Sequence, residues 1–104
     1  MKRVAFKMKL KPGFQAEYKR RHDLLWPELQ AMIKAQGISD YSIFHDEETD
    51  ILFAVQKVEG DASSQDLGDV AIVKKWWAYM ADIMETNPDN SPLTVPLVEV
   101  FYLP

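Results

Sequence analysis

The chain has 104 residues, which suits a single domain over 1–104 and leaves little room for a second. It is 47% hydrophobic and 27% charged, the balance of a globular protein, which excludes a disordered chain. With no cysteine it forms no disulfide or thiolate metal site, and its net charge of −4 argues against nucleic acid, whose phosphates select basic surfaces.

The opening segment Met1-Lys2-Arg3-Val4-Ala5-Phe6-Lys7 mixes charge with apolar residues and lacks the continuous apolar core of a secretory signal. No apolar run approaches the length needed to cross a bilayer, so the expectation is a soluble, cytoplasmic protein with no membrane partner.

Residues Arg3 to Leu10 alternate, with Val4, Phe6, Met8 and Leu10 on one face, and this period of two predicts a strand. Lys11-Pro12-Gly13 breaks it. Phe14, Tyr18, His22, Leu25 and Leu29 then recur at helical spacing. Pro27 lies inside that stretch, so the helix should kink or restart near Trp26 before continuing through Met32 and Ile33 to a cap at Gly37.

A second strand is expected over Ile38–His45 and a third over Ile51–Val58, joined by the polar turn Asp46-Glu47-Glu48-Thr49-Asp50. The stretch Glu59–Gly68 is polar and weakly patterned, a loop or the frayed start of a helix. A second helix is expected over Asp69–Glu85, burying Val70, Val73, Trp77, Met80 and Met84. Asn87-Pro88-Asp89-Asn90-Ser91-Pro92 concentrates turn residues, and a last strand should run from Thr94 to Leu103.

The order β-α-β-β-α-β predicts an α+β fold: a ferredoxin-like antiparallel sheet with the helices on one face. The third strand is apolar on both sides, with Ile51, Phe53 and Val55 opposite Leu52, Ala54 and Val58. A second copy covering the open face is the simplest solution, which predicts a homodimer.

No glycine-rich phosphate loop, metal-spaced His pair or nucleophilic serine setting is present. The basic run Lys19-Arg20-Arg21, interleaved with Glu17 and Asp23, reads as a solvated helix face. Two features stand out. Tyr18 and His22 lie one turn apart in an inward stripe, and imidazole alone both gives and takes a proton near neutrality. The competing reading is a core histidine satisfied by a backbone carbonyl. Trp76 and Trp77 point about 100° apart on a helix. One should therefore be core while the other lines a cleft, where a flat ring suits the C–H face of a sugar; both could equally be packing residues. Tyr41 shares a side of the pleat with Ile43 and His45 and either reaches the same pocket or packs at a dimer face. His45, beside the hairpin, is expected to be solvated and is a rival acid–base.

The blocks Glu17-Tyr18-Lys19-Arg20-Arg21-His22, Trp26-Pro27-Glu28-Leu29, Trp76-Trp77-Ala78-Tyr79-Met80, Asn87-Pro88-Asp89-Asn90-Ser91-Pro92 and Glu99-Val100-Phe101-Tyr102-Leu103-Pro104 resemble the L-rhamnose mutarotase family from end to end. The stretch from about Glu59 to Val73 carries no matching block and reads as variable surface. The resemblance implies a dimeric α+β barrel that interconverts the α and β anomers of L-rhamnose by acid–base ring opening, without metal or cofactor. It implies His22 as proton donor and Tyr18, Tyr41, Trp76 and Trp77 as sugar-binding residues, with Tyr18 a second acid–base group or an orienting one. Two other readings stay open on the fold alone: a non-catalytic dimeric sugar-binding module, and a cofactor-free oxygenase or haem protein.

Overall fold

The computed structural model describes residues 2–60 and 62–104; Met1 of the opening segment and Asp61 of the Glu59–Gly68 stretch lie outside the described residues. Strand β1 (Lys2–Lys9) pairs antiparallel with β3 (Ile51–Val58) along its whole length, from Lys2 opposite Val58 to Lys9 opposite Ile51. Strand β2 (Ile38–His45) flanks β3, and β4 (Val95–Leu97) flanks β1, giving the sheet order β2-β3-β1-β4. All pairs are antiparallel, as the α+β, ferredoxin-like expectation requires.

Alternation along β1 and β3 sends Phe6, Met8, Leu52, Ala54 and Val58 into one buried cluster with Leu29, Val73, Trp76 and Met80 from the helices. The helices thus cover one face. The other face keeps Phe44 and Val55 exposed.

The stretch read as one helix is two: α1 (Gln15–Asp23) and α2 (Pro27–Ala35), separated by Leu24-Leu25-Trp26. Pro27 takes the first turn of α2, where its missing N–H costs nothing. Gly37 ends α2 at φ +79, the left-handed cap anticipated there, and a Cβ at that position would stand 3.0 Å from the Glu59 Cβ. The hairpin Asp46–Asp50 closes with Asp50 at φ 60.

Two expected elements are shorter than their patterns suggest. Helix α3 (Ala71–Met80) gives way to a turn instead of reaching Glu85. Adjacent Ile83 and Met84 are both buried, and Met84 bridges Leu10 while the Glu85 N–H donates to the Lys9 carbonyl at 3.0 Å. These contacts take the place of helical hydrogen bonds, and the chain past Met80 turns to pair with the end of β1. The last strand covers only Val95–Leu97, against Ala5, Phe6 and Lys7, and not Thr94–Leu103. Past Leu97 the tail runs without a strand partner among the described residues. Glu99 accepts from Arg3 at 3.0 Å, and the Arg3 guanidinium lies 3.5 Å from the centre of the Tyr102 ring.

Strand β2 carries a bulge between Ser39 and Ser42. Ser39 faces Lys57 and Ser42 faces Val55, so Asp40 and Tyr41 together stand opposite the single residue Gln56. Asp40 absorbs the extra length at φ 46, a left-handed conformation Asp tolerates better than most residues. Through the bulge, Ile38 before it and Tyr41, Ile43 and His45 after it all turn toward the helix side.

Candidate active site

Between the helices and the inner face of β2 lies a cleft of about 750 Å³, and Tyr18, His22, Tyr41, Trp76 and Trp77 all line it. The sequence reading nominated these five residues on three separate elements, and the fold brings them together.

His22 sits on the last turn of α1, its Nδ1 3.0 Å from the Tyr18 carbonyl oxygen. A carbonyl only accepts, so Nδ1 carries the hydrogen and donates. That bond is the one expected of a satisfied core histidine, yet the ring also lines the cleft, and Nε2 has no hydrogen-bond partner among the described residues. The Tyr18 ring stacks on the imidazole at 4.2 Å between centroids and 27°, and Trp76 meets it edge-on at 5.3 Å and 88°. Burial pushes the His22 pKa below its usual 6.5, with the Tyr18 carbonyl and the Asp23 charge opposing. The imidazole therefore rests neutral at pH 7.

The two phenols move the other way. Burial raises Tyr18 well above the usual tyrosine range, and the nearby Tyr41 adds to it. Burial also raises Tyr41, while hydrogen bonds with Ser64 and Gln56 oppose it. Both remain protonated throughout the physiological range.

The tryptophan pair divides as their angular separation demands, but in the opposite sense to the expected stripe. Trp76 is 8% exposed and belongs to the core, whereas Trp77 is half-buried. The stripe is Val73, Trp76 and Met80, spaced three and four apart. Trp26, from the break between α1 and α2, meets Trp76 edge-on at 5.1 Å and stacks on Tyr79 at 5.6 Å, which fixes the wall behind His22. Trp77 lies against Gly68: a Cβ there would stand 3.0 Å from its Cζ3 atom, so the indole position depends on that glycine.

Arg21 departs from the solvated face read for Lys19-Arg20-Arg21. Lys19 and Arg20 are exposed, but Arg21 is 9% exposed. It donates to Asp82 at 2.9 and 3.2 Å, to Glu17 at 2.7 Å and to the Tyr79 carbonyl at 2.8 Å, and its guanidinium lies 4.4 Å from the Tyr79 ring centre. Arg20 and Arg21 hold the Glu17 carboxyl down at about 2. These contacts tie α1 to the end of α3, and so set His22 against Trp76.

His45 is not solvated as expected: its side chain is 12% exposed, and Nε2 lies 3.0 Å from Asp50 Oδ1. It lines the cleft as well, while its Nδ1 is buried without a partner among the described residues.

Three polar residues escaped the sequence reading. Gln56 is fully buried in β3, and Ser64 and Gln65 line the cleft from a 3₁₀ turn (Ser64–Asp66). A signal for the turn was present: Ser63 and Asp66 form a capping box, in which Ser63 Oγ accepts from the Gln65 N–H at 3.2 Å and the Asp66 carboxylate from the Ser63 N–H at 2.8 Å. Gln56 could not be found this way, because an amide in a strand reads as a solvent-facing position.

A small antiparallel α+β domain thus sets a neutral imidazole among aromatic rings and two protonated phenols in one cleft, an arrangement able to serve proton transfer on a small ligand. Comparison with known proteins gives the family. Residues 3–103 match the family model for L-rhamnose mutarotase. An L-rhamnose mutarotase of Bacteroides thetaiotaomicron is 64% identical over 103 residues, covering 99% of both chains, and one of Phocaeicola vulgatus is 62% identical with the same coverage. The crystal structure of an L-rhamnose mutarotase from Formosa agariphila superimposes with a TM-score of 0.93 at 59% identity, over 100% of both chains. The chain belongs to the L-rhamnose mutarotase family.

Proposed function

We infer that this chain interconverts the α and β anomers of L-rhamnose, and that His22 moves the protons. The observation that carries the reading is the bond from His22 Nδ1 to the Tyr18 carbonyl, which leaves Nε2 as the exchanging nitrogen of a neutral imidazole in an aromatic cleft. Mutarotation breaks the bond between C1 and the ring oxygen, removes a proton from O1 and adds one to the ring oxygen. Rotation about C1–C2 and closure on the other face reverse both transfers. Both oxygens are bonded to C1 in the closed ring, so one nitrogen reaches both. Nε2 takes the O1 proton as the ring opens, and the resulting imidazolium donates it to the ring oxygen. The balance needs protons only.

Tyr18, whose burial keeps its phenol protonated, orients His22 by stacking and by its carbonyl; this favours the orienting role over a second acid–base. Trp77 and Tyr41 are the sugar-contacting walls, and Trp76 backs the imidazole. A positioned acid–base group is worth ~10²–10⁴-fold in rate, roughly 3–5 kcal/mol of barrier.

The test is anomer exchange measured by saturation-transfer NMR on equilibrated L-rhamnose, with wild type and His22→Ala side by side. Acceleration by wild type that disappears in the mutant is the expected result. Full acceleration by His22→Ala overturns the assignment to His22, and saturable rhamnose binding without faster exchange overturns the enzyme in favour of a binding module.

The same reading includes a homodimer. Phe44 and Val55 are exposed on the open sheet face, and Val98, Val100, Phe101 and Leu103 on the tail, exposed apolar side chains of the kind that mark an interaction surface. A second copy laid over this face is the occupant we propose, and sedimentation equilibrium showing a monomer at micromolar concentration would overturn it. No helix among the described residues is long and apolar enough to cross a membrane. A cytoplasmic location belongs to the proposal, as the place where a free catabolic sugar is consumed, and cell fractionation checks it.

A further inference from the structure

Beneath Tyr41 lies a chain of polar groups whose hydrogen-bonding capacities determine which way the phenol points. Gln56, fully buried in β3, faces the 3₁₀ turn with its whole amide. The Ser64 backbone N–H needs an acceptor, and Gln56 Oε1 supplies it at 3.2 Å. That fixes the amide orientation and turns Gln56 Nε2 onto Ser64 Oγ, to which it donates. Gln65 Nε2 donates to the same oxygen at 3.3 Å.

A hydroxyl has one hydrogen to give and two lone pairs to receive. Both lone pairs of Ser64 Oγ are occupied by amide N–H groups, so its hydrogen is left to donate, and the acceptor in reach is Tyr41 Oη at 3.5 Å. Tyr41 thereby receives a hydrogen bond from below. Its own O–H cannot also be donated to Ser64, and Gln56, its other polar neighbour, already gives its oxygen to the Ser64 N–H, so the O–H turns toward the cleft that the side chain lines.

We propose that Gln56, Gln65 and Ser64 form a relay that commits the Tyr41 phenol to donating its hydrogen bond to an oxygen of the bound sugar. Ser64, Gln56 and Gln65 are positioning residues in this scheme, acting through Tyr41. The bulge at Asp40–Tyr41, which sets both residues against Gln56, builds the relay into the sheet. The relay rests on the reading above that Tyr41 touches the sugar. It predicts that the cleft selects ligands with an acceptor oxygen at that point, since a group that only donates would find a donor facing it.

The experiment is a double-mutant cycle on anomer exchange, reading KM and kcat separately for Ser64→Ala, Ser64→Thr, Tyr41→Phe and the Ser64→Ala/Tyr41→Phe pair. Ser64→Ala should raise KM about three- to tenfold with kcat little changed, the worth of one directed neutral hydrogen bond. Ser64→Thr, which keeps the hydroxyl, should restore most of it. In the Tyr41→Phe background Ser64→Ala should cost nothing further. Gln65→Leu gives a second, independent arm should Ser64→Ala fail to fold. It frees a lone pair on Ser64, lets Tyr41 donate inward, and should raise KM in wild type but not in Tyr41→Phe. Losses that add to that of Tyr41→Phe, or a Ser64→Ala enzyme with wild-type KM, overturn the relay. Tyr41→Phe with wild-type KM and kcat overturns instead the contact between Tyr41 and sugar, so the two failures are distinguishable.

Discussion

The pH profile of anomer exchange tests the environment of His22 more sharply than its removal does. The imidazole is held between the face of Tyr18 and the edge of Trp76, and burial is the largest influence on its pKa, pushing it below 6.5. In the proposed mechanism the neutral form starts the reaction. The rate of exchange should therefore be level at neutral pH and fall on a single acidic limb, about tenfold per pH unit, with a midpoint below that of free histidine. Stability should follow the same proton. Unfolded His22 titrates near 6.5 and the folded group lower, so the unfolded state binds more protons between the two values. The contribution of His22 to stability is then complete above 6.5 and is lost as pH falls from there toward the folded pKa. Trp76→Phe opens the edge-on wall while keeping an aromatic ring, and it should move the kinetic midpoint up toward 6.5. Saturation-transfer NMR across a range of sugar concentrations supplies the profile of kcat/KM, which reports the unliganded imidazole, and urea denaturation at matched pH supplies the stability. A kinetic midpoint above that of free histidine, or a rate flat across the titration range of imidazole, would refute a buried neutral base.

Substitutions at three further positions test the frame around that group. Gly68→Ala places a Cβ 3.0 Å from Cζ3 and 3.2 Å from Cη2 of Trp77, forcing the indole to yield by a few tenths of an ångström. KM should rise several-fold with little change in kcat, and a wild-type KM would show that Trp77 does not depend on the glycine. Leu52→Ala empties a position that is 1% exposed at the centre of the sheet. It should cost about 2–5 kcal/mol and lower Tm by roughly 10–30 °C, and a cost below about 1 kcal/mol in urea denaturation would contradict the packing described. Asp40 holds φ at 46, where a β-branched residue is strained. Asp40→Val should cost about 1–2 kcal/mol while Asp40→Gly costs little, because the ion pair from Asp40 to Lys57 at 3.2 Å is solvent-exposed; equal stability of the two variants would refute the strain argument.

The regular parts of this fold could be read from the chain because their periodicity is local. β2 and β3 begin and end where their patterns predict, and Pro27 and Gly37 mark the break between the helices and the end of α2. Reading failed where burial is decided at a distance. Arg21 looks like one of three surface cations, yet only the end of α3 offers it Asp82 and the Tyr79 carbonyl. His45 looks like a hairpin-edge residue, but Asp50 across the turn draws it in. The tail has the alternation of a strand, but β1 pairs with it only at Ala5–Lys7. For the site, Tyr18 and His22 were visible as a helical pair. That Tyr41 and the tryptophans join them followed from the family resemblance and not from spacing.

The position of Tyr41 shows why no local pattern could have sufficed. Strict alternation from Ile38, which is buried, would put Asp40, Ser42 and Phe44 on the helix side and Tyr41, Ile43 and His45 on the open face. The residues that turn inward are the second set, half-buried where Asp40, Ser42 and Phe44 are exposed. One extra residue, taken up by Asp40 in a left-handed conformation, reverses the side of everything after it. The same insertion sets Asp40 and Tyr41 opposite Gln56, so the reversal that brings the phenol into the cleft also brings it to the amide that underlies its hydrogen bonding. On this view the bulge and the buried Gln56 form one device. Substituting Gln56 should therefore disturb the sugar site before it disturbs the sheet, whose backbone pairing around it does not need the side chain.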